Sequence, residues 1–108
     1  MIYIRDGTHV YLLLMLLACV GEYPMQSVHL LGNNRVWKRR IKELQEIQDF
    51  CLPDDGKLVR FQMLTVSGQG KNKTMRLHKS ALPILKKLEP DAFDYYMKRF
   101  ENHHFSGA

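Results

Sequence analysis

The chain is poor in the residues that build catalytic and metal-binding apparatus. Its 108 residues include only two cysteines. Cys19 and Cys51 are far apart and form no CxxC pair, which argues against a disulfide framework and a cysteine-rich zinc site. Such usage fits a reducing compartment, and a cytoplasmic location is expected. Of the five histidines, His103-His104 has no partner at ligand spacing, and His29 and His78 stand alone. No Ser/His/Asp or Cys/His arrangement follows from any spacing. GQGKNKT looks like a phosphate loop, but the Walker pattern sets its first glycine farther from its Gly-Lys pair and opens a helix, whereas this stretch lies between two strand-like runs. Neither an enzyme nor a bound metal or cofactor is expected.

Long apolar runs are also scarce. The longest is VYLLLMLLACV, eleven residues from Val10 to Val20, whereas a bilayer span needs roughly 20. Leu16-Leu17-Ala18-Cys19 matches the pattern cut in bacterial lipoproteins. Yet Arg5 ahead of it is cancelled by Asp6, and a signal needs a net positive start. A buried core helix is the better reading, with Cys19 as a small core residue and no membrane partner.

What is present is an ordinary globular balance, 45% apolar and 25% charged, with a net charge of +5. One domain is expected over 1–102, with a frayed tail at 103–108 or the start of a further domain. Asp6 or Thr8 can cap a first helix over 8–21, ended by Gly21. Pro24 suits the first turn of a short helix over 24–31. Asn33 or Asn34 then caps a helix over 34–48. FCLPDDG reads as a turn, in which Asp54-Asp55 bonds locally. Leu58 to Gly68 reads as one strand, and TMRLHKS (74–80) as a second, joined by the Gly-rich loop 68–73. Ser80 can cap a helix over 81–88, and Pro90-Asp91 opens a last helix to about 101. Helix, short helix, helix and hairpin in that order is the winged helix-turn-helix plan, with two further helices after it. The fold class expected is therefore α+β.

The stretch 34–48 holds five basic residues in eight positions, 35 to 42. At about 100 degrees per residue, Val36, Trp37, Ile41, Leu44 and Ile47 share a broad apolar face, while Arg35, Lys38, Arg39 and Lys42 share the opposite one. A helix that docks on a core and enters a DNA major groove needs both faces. Asn33, Asn34 and Arg35 lie at the leading end, where base contacts are usual. Arg40 falls in the apolar sector and should snorkel or pair, with Glu43 for instance. The plainer alternative is a solvated face in which Glu43 and Glu46 pair with Arg39 and Lys42. A second basic cluster, Lys71, Lys73 and Arg76, falls on the hairpin. Wings commonly touch the DNA backbone, and Gly68 and Gly70 allow close approach. In the last helix, Tyr95, Tyr96 and Phe100 either pack back on the core or form the seam of a homodimer.

Three stretches, GEYPMQSVHLLGNNRVWKRRIKEL, LTVSGQGKNKTMRLHKSALPIL and YYMKRFENHHFSG, together cover over half the chain. In them the sequence resembles the replication-relaxation-like winged-helix proteins carried by conjugative elements and plasmids of Gram-positive bacteria. The resemblance implies DNA binding in the replication, transfer, maintenance or transcription of a mobile element. Longer members continue past the NHHFSG-like segment into a second domain. The expectation is thus a winged helix that grips double-stranded DNA through Asn33, Asn34, Arg35, Lys38, Arg39, Lys42, Lys71, Lys73 and Arg76. The alternative is a protein-binding adaptor or inhibitor on the same fold.

Overall fold

Local signals decide where the first helices begin. In the computed structural model, which describes residues 1–101, strand β1 (Ile2–Tyr3) leads to helix α1 (His9–Val20). Thr8 starts α1 in extended conformation, and its hydroxyl accepts the N–H of Tyr11. Gly21 ends the helix with positive φ, its N–H donating to the Leu17 carbonyl. Asn33 caps helix α2 (Asn34–Leu44) in the same way, its side-chain oxygen accepting the N–H groups of Arg35 and Val36.

Between these helices the expected helix from residue 24 is corrected. Glu22–Pro24 is a short strand, β2, and only Met25–Leu31 is helical, as a 3-10 helix. Pro24 thus ends an edge strand, where a missing N–H is tolerated.

The chain beyond α2 differs most from expectation. The helix ends at Leu44, and Ile47–Cys51 is strand β3. Ile47 is exposed, so it does not continue the apolar face of the helix. The run 58–68 is two strands, β4 (Leu58–Gln62) and β5 (Leu64–Ser67), broken at Met63. They belong to different sheets, ordered β1-β3-β4 and β2-β6-β5, where β6 is Thr74–Leu77. The break is fastened at two points. The Met63 carbonyl accepts the His78 N–H, and the Ser80 hydroxyl bonds both the N–H and the carbonyl of Gln62. Ser80 is therefore no helix cap. It follows His78, whose side chain accepts the Ser80 N–H at the start of a 3-10 turn, Lys79–Ala81.

Helices α3 (Leu82–Leu88) and α4 (Pro90–Tyr96) follow, and Met97–Glu101 closes the described chain as a π-helical turn. The result is a mixed α+β domain with two small sheets. Its core gathers Leu13, Leu14 and Leu17 of α1 with Trp37, Ile41 and Leu44 of α2 and Phe50, Phe61, Met75 and Leu85 beyond. Phe50 and Phe61 stack across β3 and β4, with ring centroids 4.3 Å apart. Helix α4 is tied to α1 by Tyr11, whose hydroxyl donates to the Glu89 carboxylate. That hydrogen bond, with burial and the nearby carboxylate charge, pushes the phenol up to about 12.

One expectation about packing is overturned. Cys19 is exposed, not a core residue. Helix α1 is apolar all round, so its sequence does not say which side faces in, and the buried side is Val10, Leu13, Leu14, Leu17 and Ala18. In the last helix, two of the three aromatics take the first of their two expected places, against the core. Tyr96 is buried in this chain's own core, and Phe100 packs against that core with its ring beside Gly21. Only Tyr95 of the three stays open, under Arg99. The tail 103–108, with His103-His104, lies outside the described residues.

Candidate nucleic-acid interface

Helix α2 earns its position through Trp37, Ile41 and Leu44, all buried. Val36, expected on that face, is 41% exposed. It sits at the margin of the apolar sector, one position past Arg35. The opposite side keeps Asn34, Arg35, Lys38, Arg39 and Lys42 exposed.

Of the basic charges on this helix, only that of Arg40 is neutralised from within. Arg40 pairs with Glu43 at 3.1 Å, as its position in the apolar sector suggested. That pairing takes the carboxylate expected beside Arg39. Glu46 lies past the end of α2, in the turn before β3. The first turn of α2 also holds no acidic residue. Arg35 therefore adds to the positive end of the helix dipole, an arrangement that costs stability in isolation and suits an anion.

The second cluster sits on the loop between β5 and β6. Gly68 and Gly70 take positive φ, and Gly70–Asn72 makes a single 3-10 turn that carries Lys71 outward. Lys71 and Lys73 are exposed. This loop is joined to the rest of the basic surface by the 3-10 helix Met25–Leu31, which touches both α2 and the 70–72 turn. The Met25 N–H donates to the Lys73 carbonyl at 2.9 Å. The hairpin tip and α2 are thus held by one intermediary.

Among the described residues, Arg35, Lys38, Arg39, Lys42, Lys71 and Lys73 have no ion-pair partner, a state they share with Arg5, Lys57, Lys79, Lys86, Lys98 and Arg99, whereas Arg40, Arg60, Arg76 and Lys87 each have one; what distinguishes the six is their grouping on α2 and the 68–73 loop. Arg76 is the member of the expected set that the fold directs elsewhere. It is half-buried in β6 opposite Glu22 of β2, 3.5 Å from that carboxylate, beside a pocket that Phe100 also lines. Asn33 is exposed, but its side-chain oxygen is engaged as the helix cap, which leaves only its amide hydrogens free. The sequence did not reveal the linking role of Met25–Leu31, because a 3-10 helix has no strong apolar period.

Other expected positions have local roles. His29 is exposed, with Nδ1 against the Gln26 carbonyl. Asp55 accepts the Lys57 N–H at 3.0 Å and pairs with Lys87, and these contacts hold its carboxyl below the usual range. Among the described residues no group of three His, Cys, Asp or Glu is placed to hold a metal, and no helix is long and apolar enough to cross a membrane. No protein-family model matches the chain, and no curated protein or solved structure is significantly similar to it.

Proposed function

We propose that this chain is a winged-helix protein that binds double-stranded DNA, with α2 as the recognition helix and the β5–β6 loop as the wing. The observation that carries the reading is the grouping of six exposed cations on two elements joined by one 3-10 helix. Connectivity supports it. Leaving out the β1-β3-β4 sheet, the order from α1 to β6 is helix, strand, helix, helix, strand, strand, and β2 pairs with β6 as the third strand of the wing sheet. On this reading β3–β4 is an insertion between recognition helix and wing.

Asn34, Arg35, Lys38 and Arg39 would face base edges and phosphates, Lys42 a phosphate, and Lys71 and Lys73 the backbone beside the groove. Arg76 is left out, because its guanidinium is engaged by Glu22. The resemblance to mobile-element proteins suggests the setting, a regulator or accessory factor in replication, transfer or transcription. The role is binding rather than catalysis.

The test is fluorescence anisotropy with a random 20-base-pair duplex, comparing wild type with Arg39→Ala/Lys71→Ala. Binding by wild type and a loss on the order of tenfold or more in the variant are expected, since each change removes a phosphate contact. A variant that binds as tightly as wild type would remove α2 and the loop from the interface. The second reading, a protein-binding adaptor, is favoured by exposed Tyr95 and by an apolar groove of about 430 Å³ that includes Leu82, Phe93 and Met97. It predicts weak DNA binding even at low salt.

A further inference from the structure

Helices α3 and α4 enclose a groove of about 430 Å³ that joins two chemistries. Its floor is apolar, made by Leu82 and Pro83 of α3, Phe93 of α4 and Met97 in the turn after it. Leu82, Phe93 and Met97 are half-buried, packed against the core on one side and open to the groove on the other. Its rim is basic. Lys79 and Lys86 line the groove and are exposed, and the Lys86 ammonium stands 5.6 Å over the Phe93 ring.

Nothing near the rim neutralises it. Residues 79 to 88 hold three lysines and no acidic residue. Lys87 is engaged by Asp55 at 3.5 Å. Among the described residues, Lys79 and Lys86 have no ion-pair partner, and no carboxylate lines the groove. Glu89 is occupied by the Tyr11 hydroxyl, and Asp91 and Asp94 of α4 are exposed outside the lining.

The combination of floor and rim selects the occupant. Covering the floor takes water from the two ammonium groups, which favours a partner that supplies carboxylates in its place. A DNA duplex offers phosphates but no apolar side chains to fill the floor. A lipid surface is flat and would not enter a groove. A second copy carries the same net charge of +5 and would meet the rim with like charge. Lys79 and Lys86 are seven positions apart, about 10 Å at helical rise, which matches two carboxylates seven apart on a facing helix.

We infer that this groove docks an acidic amphipathic helix of a protein partner. The helix seats apolar side chains among Leu82, Phe93 and Met97 and sets carboxylates on Lys79 and Lys86. The inference gives the protein-binding reading a partner class. It is independent of the DNA reading, which rests on α2 and the β5–β6 loop.

The probe is a fluorescein-labelled synthetic helix of about 16 residues, with leucines at i, i+4 and i+7 on one face and glutamates on both flanks. It is added to the full chain without nucleic acid, and saturable anisotropy with a Kd below about 100 µM is expected. Lys79→Glu/Lys86→Glu should weaken binding on the order of tenfold or more and keep the wild-type far-ultraviolet dichroism, because both side chains are exposed. A probe with lysines in place of its glutamates should prefer that variant to wild type. Arg39→Ala/Lys71→Ala should bind the acidic probe within about twofold of wild type, so loss of DNA binding and loss of peptide binding are read separately. No saturable binding would overturn the inference. So would equal binding of a probe with serines for leucines, which leaves charge alone as the attraction. A loss in Arg39→Ala/Lys71→Ala as large as that in the lysine variant would also overturn it, by placing the helix on the DNA surface.

Discussion

The two hairpins of this protein use the same backbone device for opposite ends. β3–β4 and β5–β6 are both antiparallel pairs closed by a loop that holds a glycine at positive φ, Gly56 in one and Gly68 and Gly70 in the other. The first pairs three of its charges and leaves Asp54 and Lys57 exposed without ion pairs. Asp49 pairs with Arg60 across its strands, and Asp55 at its tip is held by the Lys57 N–H and by Lys87 of α3. The second leaves Lys71 and Lys73 exposed and without ion-pair partners, and Met25 holds only the backbone of Lys73. The first hairpin is thus tied into the fold by ion pairs across its strands and to α3. The second is tied through its backbone and leaves its lysine side chains exposed, as the proposed wing requires.

The comparison can be broken at several points. The largest effect is expected in the first hairpin, where Phe50 is fully buried and stacked on Phe61. Phe50→Ala should cost about 3–5 kcal/mol in chemical denaturation, as buried Phe truncations do.

A smaller and more telling contrast lies at the tips. A Cβ on Gly68 would stand 2.5 Å from the Asn72 carbonyl oxygen, whereas one on Gly56 would meet nothing within 4 Å. Gly56→Ala should cost about 1 kcal/mol, the strain of the left-handed conformation alone. Gly68→Ala should cost about 2 kcal/mol or more, because the backbone must also shift. Equal melting temperatures for the two variants would deny the wing loop its tighter construction.

Lys71→Ala/Lys73→Ala should leave the melting temperature unchanged and lower the salt slope of DNA binding by about 2, one phosphate contact per lysine. The matching change in the first hairpin, Lys57→Ala, should leave that slope alone.

The smallest effect concerns pH. The Asp55 carboxyl titrates below its usual value, mainly because its charged form accepts the Lys57 N–H. Its contribution to stability is therefore present above pH 3.8 and is lost as the pH falls through the depressed value. Asp55→Asn should be slightly less stable than wild type at neutral pH, and the difference should vanish in acid unfolding. A gap that persists there would assign the effect to packing.

How much of this was legible in the sequence follows from where each signal resides. Thr8, Gly21 and Asn33 announce helix ends because capping is local chemistry, and the alternation of Thr74–Leu77 announces a strand whose alternate side chains are buried. Strand β3 was not legible. Ile47 follows Leu44 at helical spacing, and only the pairing with β4 and with β1 turns 47–51 into a strand. The break at Met63 carries no Gly or Pro. It is made by His78 and Ser80, whose bonds to that segment appear only once the chain has folded. Of the candidate site, the exposed cations of α2 could be read from periodicity. The engagement of Arg76 by Glu22 could not, because those residues are 54 apart in the chain.

The central claim is that the free cations of α2 and the β5–β6 loop grip DNA phosphates. Its most direct test is the affinity for a 20-base-pair duplex measured across salt from about 50 to 200 mM. Six phosphate contacts predict a log–log slope of about −5 and a loss on the order of a thousandfold over that range. Absence of binding at the lowest salt, or an affinity indifferent to salt, would contradict the account.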